Sequence, residues 1–358
     1  MSSFANTFLV VVSVLMLTLV SRRVESHEVS GTLQVSASRA EDGSCSASLR
    51  GGRSFVTGGV GSAGPLATAK YFEEGGQLTD VAPMQTGRTG HICVAFDDGT
   101  VLVAGGETGK NGSTTAAEVF HPDTNTWTAT APMLTVRKRA AAVLLKNGMA
   151  LVVGGETAGQ TLSTLEIYDP ASGRFEPARG VLSAPRTRYA LAALDDGRVV
   201  IAGGFIGSRA VDSIDLFDPA DGVVYAGRMS VPRANFTATT LSDGRVLFAG
   251  GTDGLNELAS AELYDPATGT VVPTEPLAAS RQNHLAVRSA DSDRVLIAWG
   301  TASGQPVDSG EFFVPSRNSF EAASEIAASE KGSGSITVGI LNRDATLRTR
   351  RTYRLTAP

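Results

Sequence analysis

The sequence predicts an all-β fold: a β-propeller assembled from four-stranded blades. Three observations carry that expectation. A glycine pair, or its relic, ends an apolar run at Gly58-Gly59, Gly105-Gly106, Gly154-Gly155, Gly203-Gly204, Gly250-Gly251 and Trp299-Gly300, with spacings of 47, 49, 49, 47 and 49 residues. A hairpin glycine stands six residues before each of the first five pairs, at Gly52, Gly99, Gly148, Gly197 and Gly244. An aromatic closes a third strand at Tyr71, Phe120, Tyr168, Phe217, Tyr264 and Phe313. A period of that length, with strands and no helical pattern inside it, marks a propeller blade.

The unit that begins at Arg186 shows the four strands in order. An apolar run from Tyr189 to Leu194 stops at Asp195-Asp196-Gly197, and a second run, Arg198 to Ala202, ends on Gly203-Gly204. Asp-Gly between two apolar runs signals a hairpin, because the tight turn needs positive φ. The third strand, Val211 to Phe217, closes at the turn Asp218-Pro219, and the fourth runs from Val223 to Ala226. An arginine stands 17 residues before the pair at Arg88, Arg137, Arg186 and Arg233, and 18 before it at Arg281, where Ala290-Asp-Ser-Asp293 adds a residue.

These residues match the kelch repeat: a glycine doublet closing the second strand, an aromatic closing the third, and Trp127 in the fourth-strand position. The chain resembles bacterial kelch proteins related to the propeller domain of galactose oxidase, over roughly residues 45 to 325. The resemblance implies the fold and says little about activity, since a propeller hosts many unrelated functions.

Six units are read directly. A seventh, composite blade is expected from the strand pair Gly332 to Asn342 and Thr346 to Leu355, joined by the N-terminal stretch Glu28 to Ser36. Joining both chain ends in one blade would remove exposed edges; six blades plus a tail is the alternative. Residues 1–26 read as a signal peptide, because the apolar run Phe8 to Val20 is short for a membrane span. An uncleaved anchor is the alternative, since no Lys or Arg precedes that run and Arg22 and Arg23 follow it. Residues 27–358 then form one propeller domain, exported to the periplasm, cell surface or exterior.

The chain has 358 residues, 42% of them hydrophobic, and a net charge of −5, so no basic stripe suits nucleic acid. Of its two cysteines, Cys45 lies 13 residues before Gly58 and Cys93 lies 12 before Gly105. On strands, that one-residue offset makes the thiols face each other or face apart, depending on blade order. An oxidising compartment would permit the bond.

A four-stranded meander brings the loop before the first strand and the loop after the second to one side. That places Arg88, Arg137, Arg186, Arg233 and Arg281 near the channel mouth, beside loops of unlike sequence. His91, Arg139, Arg188, Tyr189, Asn283 and His284 follow those arginines by two or three residues and could decorate the same funnel. A basic funnel on an acidic chain favours small acidic ligands. The opposing reading makes the arginines mortar, because a guanidinium fork suits backbone carbonyls. Metal chemistry lacks support: four histidines include no paired ligand spacing, and the Cys–Tyr and His pattern of galactose oxidase has no match. No cofactor is expected.

Two function classes remain. The leading one is a monomeric binding module that holds a protein, glycan or surface polymer through one loop face. The other is a carbohydrate-active enzyme, since kelch propellers include a periplasmic sialic acid mutarotase. In that reading Glu107 or Glu156, with a neighbouring arginine, would supply acid/base groups at the mouth.

Overall fold

The structure, a computed structural model, describes residues 13–19, 35–37, 43–49, 54–72, 78–109, 112–289, 293–323, 325–326, 335–341 and 347–354. Its elements are β-strands, and the repeat folds as expected into a kelch-type propeller of four-stranded antiparallel sheets. Unit 1 comprises Cys45–Ser48, Ser54–Thr57, Ala69–Phe72 and Leu78–Asp80; unit 2 comprises Ile92–Ala95, Val101–Ala104, Ala117–His121 and Thr126–Thr130. Units 3 to 6 open with Ala141–Leu144, Ala190–Ala193, Thr237–Thr240 and Leu285–Arg288, and each repeats the same order of neighbours.

The hairpins form for the reason the sequence gives. In unit 2 the Gly99 N–H donates to the Phe96 carbonyl at 3.0 Å while Gly99 sits at φ 87°. Asp98 Oδ1 accepts the Thr100 N–H at 2.9 Å and fixes the return strand.

Packing between units follows from strand alternation. In the second strand of unit 3, Ala150 and Val152 join a cluster with unit 2, whereas Leu151 and Val153 join one with unit 4. Five such clusters fill the five junctions between the six units. The third-strand aromatic meets a fourth-strand partner directly across, Phe120 opposite Trp127 and Tyr168 opposite Phe175, with ring centres 5.2 and 4.8 Å apart. In unit 1 the expected aromatic is displaced by one. Ser54 pairs with Phe72 as Val101 pairs with Phe120, so Phe72 holds the position assigned to Tyr71, which lies opposite Phe55.

The glycine pair earns its place by close approach. A Cβ on Gly203, at φ 63°, would stand 2.2 Å from the Arg233 carbonyl and 2.7 Å from the Phe236 ring, both in the next unit. One on Gly204 would stand 2.6 Å from the Thr187 carbonyl of its own unit. The first glycine thus admits the neighbouring unit, and the second admits the unit's own entry loop.

Both chain ends are drawn into sheets. Ser13–Leu19, Ser335–Leu341, Leu347–Arg354 and Glu325–Ile326 form one four-stranded sheet in that order. The expected C-terminal strand pair is therefore present, but its N-terminal partner is Ser13–Leu19, within the stretch read as a signal peptide. Val35 and Ser36 pair instead with Val287 and Ala286, as a fifth strand on the inner edge of unit 6. A segment of period-2 pattern does not specify which of several free edges it joins, which is why the sequence misassigned it. Leu33 and the rest of 28–34 lie outside the described residues, as do 1–12, 20–27, Gly52 and the turn at Arg343 to Ala345.

Cys45 and Cys93 form a disulfide with a Cα–Cα distance of 5.9 Å. Register explains the geometry. Cys45 pairs with Thr57, the last residue of its neighbouring strand, whereas Cys93 pairs with Val103, one before the last. The offset turns the two side chains toward the same junction, between units 1 and 2.

Candidate functional site

The five repeated arginines lie inside the wall. Arg88, Arg137, Arg186, Arg233 and Arg281 are each at most 1% exposed. Every one spans two strands of its own unit. Arg137 Nη1 donates to the Gly154 and Thr164 carbonyls at 2.8 and 3.0 Å, and Nη2 meets Glu166 Oε1 at 2.7 Å. The same pattern joins Arg88 to Glu118, Arg186 to Asp215, Arg233 to Glu262 and Arg281 to Glu311, at 2.6 to 2.8 Å.

The carboxylate then anchors the loop that enters the unit. Glu118 accepts the Gln85 N–H at 2.7 Å, Glu262 the Ser230 N–H at 2.9 Å, and Glu311 the Ala278 N–H at 2.7 Å. The charge is paired and the Nη donors are bonded, as a buried pair requires, although Nε of Arg88, Arg137 and Arg233 finds no partner among the described residues. Sequence reasoning missed these acids. The signal was available: an acid stands 12 or 13 residues after the doublet in each unit that has the arginine, and unit 1, without the arginine, has Lys70 there.

The residues three past each arginine are also interior. His91, Tyr189, Phe236 and His284 are buried and lie over the first glycine of the preceding unit's doublet, at Gly58, Gly154, Gly203 and Gly250. His91 Nε2 bonds Thr57 Oγ1 at 2.8 Å, His284 Nε2 bonds Thr237 Oγ1 at 2.9 Å, and the Tyr189 hydroxyl donates to the Val153 carbonyl at 2.6 Å. Burial, with the Arg281 charge second, holds the His284 imidazole at a pKa of about 3, so it is neutral at physiological pH.

What reaches the mouth is the position two past the arginine. Gly90, Arg139, Arg188, Asn235 and Asn283 all have left-handed φ between 53° and 65°, and Gly43 at 68° is their counterpart in unit 1. Backbone bonds link successive units there. Gly90 N donates to the Gly43 carbonyl, Arg139 N to Gly90, Asn235 N to Arg188 and Asn283 N to Asn235, at 2.7 to 3.0 Å. The conformation belongs to the fold, since it turns each entry loop into the inner strand. Arginine there is unfavourable by about 1–2 kcal/mol relative to glycine, so its choice at two of the six positions calls for a reason beyond the backbone.

Around this annulus stand the loops that follow each glycine pair. Most are two-residue β-ribbons, as at Glu156–Thr157 with Gln160–Thr161 and Phe205–Ile206 with Arg209–Ala210. In units 2 to 6 the loop is tied to its own entry loop by a bridge such as Thr89 to Glu107, Lys138 to Glu156 or Thr187 to Phe205. The chemistry is uneven. Between units 2 and 3, Lys138 Nζ lies 2.9 Å from Glu107 and 3.9 Å from Glu156, and Arg139 also pairs with Glu156. Between units 5 and 6 the contacts are neutral or singly acidic: Asn235 Nδ2 donates to Gln282 Oε1 at 2.9 Å, and Glu257 accepts the Ser303 N–H at 3.0 Å. Of the binding residues singled out from sequence, the structure brings Arg139, Arg188 and Asn283 to the mouth and encloses the rest, while the candidate acids Glu107 and Glu156 stand in the loops around it.

The family model described as the Kelch motif matches residues 88–134, one unit from its arginine to the next entry loop. No curated protein matches the sequence. Among 698 matching chains of known structure, which makes the likeness one of fold, is the structure of YjhT, with a TM-score of 0.60 and 15% identity. That match covers 79% of this chain and 97% of YjhT. The motif match thus covers one unit, and the structural likeness extends the shared fold over most of the chain.

Proposed function

We propose that the chain is an exported binding module that uses the loop face around the channel mouth to hold a protein, glycan or surface polymer. One observation carries the reading. The groups that recur in every unit are consumed by the scaffold, while the exposed residues of the mouth and its braced loops differ from unit to unit. Variable loops on a rigid frame are where recognition resides. The Cys45–Cys93 disulfide supports export, because such bonds persist in oxidising compartments.

A glycan array and a panel of surface polymers, probed with purified protein, test the reading. Binding that falls on Arg139→Ala or Arg188→Ala at unchanged melting temperature supports it. Binding that survives changes to every mouth loop would remove it. A second reading, an enzyme acting on a sugar, draws on the Glu107, Lys138, Glu156 and Arg139 network, which sets two carboxylates beside two cations at the mouth. Anomer interconversion of a bound sugar, lost on Glu156→Gln, would favour it over simple binding.

A further inference from the structure

The rim at units 4 and 5 differs from the rest of the loop face. At the equivalent tips, units 3, 4 and 6 place Ala158-Gly159, Gly207-Ser208 and Ser303-Gly304. Unit 5 places Leu255, which is 92% exposed. A lone exposed leucine is ordinary, but this one is held outward. Asp253 Oδ1 accepts the N–H groups of both Leu255 and Asn256 at 2.7 Å, and Thr252 Oγ1 donates to the Asn256 carbonyl at 2.8 Å. The same loop abuts unit 4, since a Cβ on Gly254 would stand 3.2 Å from the Ser208 carbonyl and 3.5 Å from the Phe205 ring. There Ile206 is 37% exposed and pairs across its ribbon with Arg209. Arg209 is exposed and has no ion-pair partner among the described residues.

We propose that Ile206, Arg209 and Leu255 form a docking point for a peptide segment of a partner protein, one that carries an apolar side chain beside a carboxylate. The proposal rests on the loop face being the binding face, and it names the class of partner. The braced loop presents its leucine at little ordering cost on association. Two exposed aliphatic side chains on abutting loops give the partner's apolar residue a surface to cover. The chain as a whole carries −5, so an unpaired cation at this spot sets which charge is accepted there and fixes register.

Selection of a random dodecapeptide phage library against the intact protein tests this, followed by fluorescence polarisation with the synthetic winners. The expected consensus places Leu, Ile, Phe or Trp next to Asp or Glu. Affinity should fall about tenfold or more on Leu255→Ser and on Arg209→Glu, with the melting temperature unchanged. Leu134→Ser, at a 57% exposed leucine in the loop entering unit 3, should leave it intact. A selection without that consensus, or winners indifferent to Leu255→Ser, overturns the proposal. If a glycan or polymer still binds the mouth in that case, the loop-face reading stands and only the peptide docking point is lost.

Discussion

At the residue scale, two neighbours in sequence should respond to mutation in opposite ways. Arg186 is fully buried and paired with Asp215 at 2.7 Å, whereas Arg188 is exposed at left-handed φ. Arg186→Ala leaves an uncompensated carboxylate in the wall, and breaking such a pair costs roughly 3–5 kcal/mol. Arg188→Gly relieves backbone strain and should be neutral or mildly stabilising. Urea melts of both variants check this; equal losses would mean that the wall and the annulus are not distinct. His284 adds a pH signature. Its folded pKa is depressed to about 3 from 6.5, so its neutral burial stabilises the fold fully above pH 6.5, and that contribution is lost as pH falls toward 3. Unit 5 carries Phe236 at the equivalent place, so His284→Phe should fold and should flatten the decline in stability between pH 6.5 and 4.5. An unchanged slope would assign the acid sensitivity to other groups.

At the scale of the elements, the junction of units 1 and 2 is the one closed covalently. The crosslink spans 48 residues, for which chain entropy gives about 4 kcal/mol. Cys45→Ser with Cys93→Ser should lower the melting temperature relative to the oxidised protein, and reductant should reproduce the shift in the native protein while leaving the double variant unmoved. The element level is also where the sequence was most and least legible. Gly99 and its equivalents announced the hairpins and the doublets announced the strand ends, because positive φ and close approach admit few alternatives to glycine. The acids Glu118, Glu166, Asp215, Glu262 and Glu311 escaped notice because their partners are 29 or 30 residues away and meet them only through the register of three strands. The cysteine offset was visible as a parity, but which junction each face meets is set by blade order, which one unit does not encode. At the mouth, the sequence mostly mistook depth: the arginine repeated in units 2 to 6 marked the wall, and the position two places on held the exposed Arg139 and Arg188.

At the scale of the whole molecule, Trp299 reports how the ring ends. In units 3, 4 and 5 the first glycine of the doublet is pressed by the next unit's arginine carbonyl and by a ring, Tyr189, Phe236 or His284, so a side chain there would collide. Unit 6 has no following arginine-bearing unit, and it carries Trp299 at φ 59° in place of that glycine, 2% exposed. An indole can stand there because nothing of the repeat type arrives among the described residues to fill the space, and something else must keep water from it. The sheet built from Glu325–Ile326, Ser335–Leu341 and Leu347–Arg354 is the chain's next element after unit 6 and is the expected cover. Ending the chain at Glu330 should therefore do two things together. It should lower the melting temperature by several degrees or more, the response expected of a large domain losing a few kcal/mol. In a Trp127→Phe background, where Trp299 is the remaining tryptophan, it should also shift the emission to longer wavelength as the indole meets water. A truncated protein with native melt and native emission would place the C-terminal strands outside the ring and leave six blades to close on themselves. A red shift without loss of stability would show the strands covering unit 6 without supporting it. The paired loss is what a composite closing blade requires, because a face left open at unit 6 exposes both its apolar side chains and its indole at once.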